Sequence, residues 1–418
     1  MITNDCDSQV SLLLDCLRLE ALERKAQALA AYTPADWESV MSAAELRGVQ
    51  PLLAWRLSHG AEKLSLPQNC QEELQRSLLN CAGRNIQRFH GLDAILARMA
   101  EIHTPVILLK GAHLAKFVYP HPGARPMGDL DLLIPQDRLD RAHQVLTSMG
   151  YTAKRNFSIQ WEMKMHHHLP PYHLDNEIVE LHWTIASPSS TLTIDLEGLW
   201  RRARPAPGRN PSVWLLSPED LLLHLCLHLL QDEFFGGVRR IYDIAQALDF
   251  YQAELDWETL AARARQWGSA KGLFLILYLA AKLFNAPLPS GYLEQLQPPD
   301  FSPQVECLAR QRALSVARPS KLDLHPNLAR LWRRQSLSRK AAALFHSLFP
   351  DPKIIASKYN LQPGSRKVYW YYSVRIKDLL ARYGHQLWRL LSGDPRLHQL
   401  AAEENLLSDW CVGSKWLR

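Results

Sequence analysis

The stretch Arg125-Pro126-Met127-Gly128-Asp129-Leu130-Asp131-Leu132-Leu133-Ile134-Pro135 alternates acidic with apolar residues between two prolines. That alternation is the period of a β-strand, whose successive side chains point to opposite faces. A strand here sets Asp129 and Asp131 side by side on one face, with Leu130 and Leu132 packed behind them. Two carboxylates held so close need a proton, a basic partner or a divalent cation to offset their repulsion, and an oxygen-rich pair suits Mg2+ or Mn2+.

Upstream, Val106–Leu109 is a short apolar run of the kind that forms a buried strand. Lys110-Gly111 follows it and opens a helix through Ala112–Tyr119, so the turn offers backbone N–H groups that can receive a phosphate. A Pro- and Gly-rich loop, Pro120–Gly128, leads back to the acidic strand. Downstream, Asp137–Met149 reads as an amphipathic helix stopped by Gly150. Strands are expected at Tyr151–Ala153, His166–His173 and Ile178–Ile185, with Asp175-Asn176 as a hairpin turn. In the last of these, Val179-Glu180-Leu181-His182-Trp183 puts Glu180 and His182 on one face. If that strand lies beside the first, three carboxylates converge, an arrangement that can hold two metal ions for in-line phosphoryl or nucleotidyl transfer.

The rest of the chain reads as helix. Leu12, Leu13, Cys16 and Leu17 recur at helical spacing, as do residues after Pro51. A basic, Pro-rich linker spans Arg201–Pro211, after which Ser217-Pro218-Glu219-Asp220 carries the cap, proline and acids of a helix start. Pro287–Pro303 makes a second break. The expected organisation is a helical region at 1–100, an α/β core at 101–205, a helical domain packing on the core at 206–300 and a basic helical region at 301–418.

Composition bounds the function. At 418 residues, 47% hydrophobic and 22% charged, the chain has the balance of a globular protein with more than one packed unit, not of a disordered one. The best membrane candidate, Gly272–Phe284, is too short to span and contains Lys282. The opening MITNDCDSQV lacks the basic and apolar regions of a secretory signal, and seven scattered cysteines without a Cys-x-x-Cys pair read as reduced thiols, so a cytoplasmic location is expected. Charge is uneven: Arg310–Arg418 holds 20 Lys and Arg against 7 Asp and Glu, a surplus of 13, while the remainder is net negative. Such a surface is either a set of solvated helix faces or an attractor for nucleic acid, a nucleotide or acidic head groups.

Three further groups bear on the chemistry. His166, His167, His168, His173 and His182 are dense, but neighbours in a strand face opposite sides, so one or two are expected at the mouth of the site and no zinc is expected. His224 and His228 lie one helical turn apart; they either face the cleft with Asp243 or are buried and hydrogen-bonded, the commoner fate in an apolar helix. The aromatic and basic run Lys367–Arg375 is expected to pack its Tyr and Trp between helices, with stacking on a base as the alternative.

Taken together, LLKGAHLAKFVYP (Leu108–Pro120), RPMGDLDLLIP (Arg125–Pro135) and VELHW (Val179–Trp183) resemble the uncharacterised bacterial nucleotidyltransferase-like proteins, a branch of the DNA polymerase β-type nucleotidyltransferase superfamily. A weaker echo runs through HLCLHLL (His224–Leu230) and RRIYDIA (Arg239–Ala245), so the resemblance covers roughly Asn80–Tyr251. It implies an α+β nucleotidyltransferase core with a small mixed sheet and helical flanks. It also implies Asp129, Asp131 and Glu180 as catalytic metal ligands and Gly111 as the start of the nucleotide-binding turn; beside that turn Lys110, Arg125 and Gly128 are expected to bind the nucleotide, with His182, His228 and Asp243 behind the acids. The superfamily usually carries Gly-Ser or Gly-Gly nearer its acidic pair. Here Gly111 is followed by Ala112 and lies 18 residues before Asp129, so Lys110 and Arg125 are expected to supply by charge what the missing hydroxyl does not. The implied activity is transfer of a nucleoside monophosphate from an NTP, ATP foremost, to a sugar, peptide, metabolite or RNA acceptor with two Mg2+ or Mn2+ ions. A catalytically silent nucleotide-binding scaffold and an RNA-targeting, tRNA-modifying toxin-like protein are the alternatives.

Overall fold

The computed structural model describes the chain except residues 1–2, 21–25, 61–65, 154–156, 189, 191, 209, 317–344, 346–347, 360, 363–364 and 413–418, so much of the basic C-terminal segment lies outside the described residues. Helices α1 (Thr3–Leu17), α2 (Ala26–Leu29), α3 (Pro34–Leu46), α4 (Gln50–Gly60) and α5 (Gln68–Glu101) come first. The central block runs β1 (Val106–Leu108), α6 (Lys110–Phe117), β2 (Leu130–Leu133), α7 (Leu139–Ser148), α8 (Ile159–Met165), β3 (Tyr172–Leu174), β4 (Glu177–His182), α9 (Leu196–Arg202), β5 (Arg204–Pro205) and β6 (Val213–Leu215). Then come α10 (Pro218–Gln231), α11 (Gly237–Tyr251), α12 (Trp257–Trp267), α13 (Ala270–Phe284), α14 (Tyr292–Leu296) and α15 (Pro303–Leu314), followed by helices at Pro352–Lys358, Lys367–Leu391 and Pro395–Val412. The expected α+β architecture with helical flanks is present.

The strands form one mixed sheet in the order β3-β4-β2-β1-β6-β5. β2 is antiparallel to β1 and parallel to β4, and this second pairing sets Asp131 opposite Glu180 and Leu133 opposite His182. Every residue of β1 and β2 is buried, as expected of strands covered on both faces. Leu130 and Leu132 lose nearly all their exposure, each contributing about 1.5–3 kcal/mol. The hairpin turn falls at Asp175-Asn176, where Leu174 pairs with Glu177 and Asp175 takes a positive φ of 48°, a conformation that Asp tolerates better than most residues.

Several boundaries differ from the sequence pattern. β2 starts at Leu130, so Asp129 sits just outside it. Of the run His166–His173 only Tyr172 and His173 enter a strand, because α8 extends to Met165 and the next residues form a loop touching β4 by a single bridge, His168 to His182. Tyr151–Ala153 contributes only the Thr152–His173 bridge. The linker Arg201–Pro211 contains β5, which with β6 extends the sheet beyond β1.

Two apolar clusters hold the elements, and α5 joins them. Its buried Cys70 and Leu74 belong to a large helical core shared by α1, α3, α4, α10, α11 and α13. Further along the same face, Leu92, Ile95, Leu96 and Met99 pack under the sheet with Val106, Leu130 and Leu181. α10 begins as its pattern requires: the Ser217 hydroxyl accepts from Asp220 N–H, and Pro218 needs no partner in the first turn. In the helix Lys367–Leu391, Tyr371 stacks on Tyr359 and Tyr372 on Phe349, whereas Tyr369 and Trp370 stay 70% and 71% exposed, so packing accounts for only part of that aromatic run.

Candidate active site

The site forms where β1 hands over to α6 beside the ends of β2 and β4. Leu109 N–H donates to the Asp131 carbonyl, and Lys110 then adopts a positive φ of 39°. That strained turn lets the Lys110 side chain reach the face of β2, where Nζ lies 2.7 Å from Asp131 Oδ1. His182, brought in by β4, directs Nε2 to the same oxygen at 2.8 Å and approaches Glu180 Oε2 at 3.4 Å. Asp131 and His182 are each only 1% exposed.

These contacts decide the charges. Burial favours the neutral acid at Asp131, but Lys110 and His182 outweigh it and hold its pKa well below the usual range. Burial likewise opposes a charge on His182, yet hydrogen bonds to Asp131 and Glu180 raise its pKa. Glu180 is lowered against the effect of burial by His182 and by His168, 4.0 Å away. Asp129 goes the other way: burial, then repulsion from Asp131, push it up despite Lys110. It makes no side-chain hydrogen bond or ion pair with any described residue.

Asp131, Glu180 and His182 each offer a ligand atom, all within 4.8 Å of one another. The sequence pattern named Asp129 as a ligand and placed His182 behind; the closest set substitutes one for the other, with Asp129 lining the same cleft. Two carboxylates with an imidazole fit a divalent cation, and Mn2+ accepts nitrogen more readily than Mg2+. His182 Nδ1 is buried without a hydrogen-bond partner among the described residues, so it is Nε2 that ties this ring to the acids. The histidine loop also departs from strand geometry. The rings of His167, His168 and His182 meet with centroids 4.7, 5.1 and 5.5 Å apart, because residues 166–171 lie outside any strand and need not alternate faces.

A cleft of about 190 Å³ opens from the acids, lined by Lys110, Gly111, Arg125, Gly128 and His228 among others. Arg125 is buried and donates to Asp243 through Nε at 3.2 Å and Nη2 at 2.9 Å, while the Tyr119 hydroxyl donates to the same carboxylate at 2.7 Å. Asn85 fixes the loop by donating to the carbonyls of Pro122 and Arg125, at 2.6 and 2.8 Å. Gly111 leaves room for this arrangement, since a Cβ there would collide with Arg125 Nη1 as it is now placed. Lys110 and Arg125 thus already have anionic partners within the protein. His228 lines the cleft, its pKa pushed down to about 3 by burial and by Lys110. His224 is buried instead, and neither of its ring nitrogens finds the expected hydrogen bond among the described residues.

Sequence reasoning assigned no role to Arg239 and Arg240, which also line the cleft. Arg239 and Asp243 stand four apart on α11 and would read as a local helix pair. Arg125 takes Asp243 instead, and the Arg239 side chain makes no hydrogen bond or ion pair with any described residue. Burial, then repulsion from Arg125, lowers its pKa.

With this geometry in place, the comparison with known families is informative. The family described as uncharacterised nucleotidyltransferase matches residues 33–285, more than half of the chain, and the chain belongs to that family. The match takes in α3, α4 and α5 as well as the sheet and α10 to α13, beyond both ends of the quoted motifs. No curated protein and no solved structure matches. Among the described residues, no helix is long and apolar enough to cross a membrane.

Proposed function

We propose that the chain transfers the nucleotidyl group of an NTP to a hydroxyl-bearing acceptor. The observation that carries this reading is the in-register pairing of Asp131 with Glu180 across β2 and β4, at the edge of a cleft that Asp129, Asp131 and several cations line. The acceptor oxygen forms a bond to the α-phosphorus while the bond from that phosphorus to the bridging oxygen of the β-phosphate breaks. Pyrophosphate leaves with the electron pair, and the acceptor's proton passes to a carboxylate. Asp129 suits that last task better than Glu180, because its pKa is raised and its oxygens are not engaged, whereas Glu180 is drawn to His182. Mg2+ or Mn2+, held by Asp131 and Glu180 with Asp129 or His182 alongside, supplies positive charge to the phosphates when bound. ATP is the donor to test first.

One observation favours the silent scaffold: Lys110 and His182 already neutralise Asp131. Incubation with each α-labelled NTP, Mg2+ or Mn2+ and cell extract separates the two readings. Transfer of label by the wild type and none by Asp131→Asn supports the enzyme. NTP binding by calorimetry with no labelled product under either metal supports the scaffold.

A further inference from the structure

The cleft does not end at Arg239 and Arg240. Past them it continues into a wider cavity of about 360 Å³, to which Arg47, Asp232, Phe235 and Val316 also contribute. Arg240 is satisfied there: Nη2 lies 2.8 Å from Asp232, and Nη1 donates to the Phe235 carbonyl at 2.7 Å. Arg47 donates to the carbonyls of Leu314 and Ala43. Arg239, shared by both cavities, makes no hydrogen bond or ion pair with a described residue, and burial and the like charge of Arg125 outweigh the attraction of the more distant Asp243. A half-buried guanidinium in that position is unfavourable until an anion joins it.

We propose that this wider cavity is a phosphate-binding site in which Arg239 is the principal donor. Its lining carries three guanidinium groups against the single carboxylate of Asp232, and the planar N–H fork of Arg239 suits the paired oxygens of a phosphate. The ligand's identity rests on the nucleotidyl-transfer reading. The phosphate belongs either to the far end of the NTP, released as pyrophosphate, or to a phosphorylated acceptor. Since Lys110 and Arg125 are held by Asp131 and Asp243, Arg239 does the work those two residues were expected to do.

The test uses the full chain, with inorganic phosphate, pyrophosphate and ATP as probes in calorimetry and thermal melts. Phosphate or pyrophosphate is expected to bind the wild type and raise its melting temperature. Arg239→Gln should weaken that binding about ten- to hundredfold without lowering the melting temperature of the free protein, and Arg239→Lys should recover part of it. Competition between pyrophosphate and ATP, with ATP binding also weakened by Arg239→Gln, assigns the site to the nucleotide. Phosphate binding that persists beside saturating ATP assigns it to the acceptor. Asp131→Asn should lose metal-dependent ATP binding yet keep phosphate binding, so failure of the transfer reading leaves this result standing. A folded wild type that binds neither phosphate nor pyrophosphate, or an Arg239→Gln protein that binds them as the wild type does, overturns the proposal.

Discussion

Arg125 holds Asp243 through two nitrogens across 118 residues of chain, tying the loop that precedes the acidic strand to the middle of α11. Both side chains are buried, and removing either partner strands a charge. Arg125→Ala is therefore expected to cost about 3–5 kcal/mol of stability, more than a lost phosphate contact alone explains. Urea unfolding measures it; a midpoint equal to the wild type's would show that the pair does not hold the fold.

Asp129 and Asp131 differ in what their loss removes. Asp129→Asn should lower kcat by roughly 10²–10⁴ with little change in NTP affinity, because it takes away a proton acceptor and leaves the Lys110–Asp131–His182 contacts in place. Single-turnover labelling at saturating NTP tests this, and an unchanged rate would pass the base role to Glu180.

Metal should act through Asp131. Mn2+ is expected to raise the melting temperature of the wild type but not of Asp131→Asn, with His182→Gln intermediate, since that set shares one ligand volume. Equal shifts in all three proteins would place the cation elsewhere.

Gly111→Ala probes how closely α6 and Arg125 approach. The added methyl meets Arg125 Nη1, which cannot retreat without loosening Asp243, so a loss of about 1–3 kcal/mol is expected. Thermal unfolding reads it, and a neutral result would mean that the loop yields freely.

His113 sets part of the acid sensitivity. Its ring is fully buried, 3.2 Å from the Tyr251 hydroxyl, and burial pushes its pKa from 6.5 down to about 3. Above pH 6.5 the ring is neutral in both folded and unfolded chains, and it makes no difference. Between 6.5 and 3 the unfolded chain takes up a proton that the folded chain refuses, so stability falls with pH at up to about 1.4 kcal/mol per unit. His167 and His228 are pushed the same way. Denaturant midpoints at pH 7 and pH 5 should therefore differ less in His113→Gln than in the wild type, and an identical difference would assign the slope to other groups.

The strands that carry the acids were legible because their signals are local: alternation between two prolines for β2, and Glu-x-His beyond an Asp-Asn turn for β4. β5 and β6 were not, since two or three residues give no period and β5 contains a proline within a basic linker. The meeting of His167, His168 and His182 depends on a loop whose path no repeat encodes. Arg239 was hidden for a different reason. Its natural helix partner, Asp243, is claimed by a residue far away in sequence, and only the folded chain reveals the competition.

The span of chain that builds this cleft has a consequence for synthesis. A nascent polypeptide that has released β2 from the ribosome carries Asp129 and Asp131, but β4 with Glu180 and His182 comes after α7, α8 and β3. Even a chain extended through β4 leaves Arg125 waiting for Asp243 on α11. The protein can thus acquire a complete site only after α11 has emerged, so incomplete translation products ending before it carry the acids without the groove that serves them.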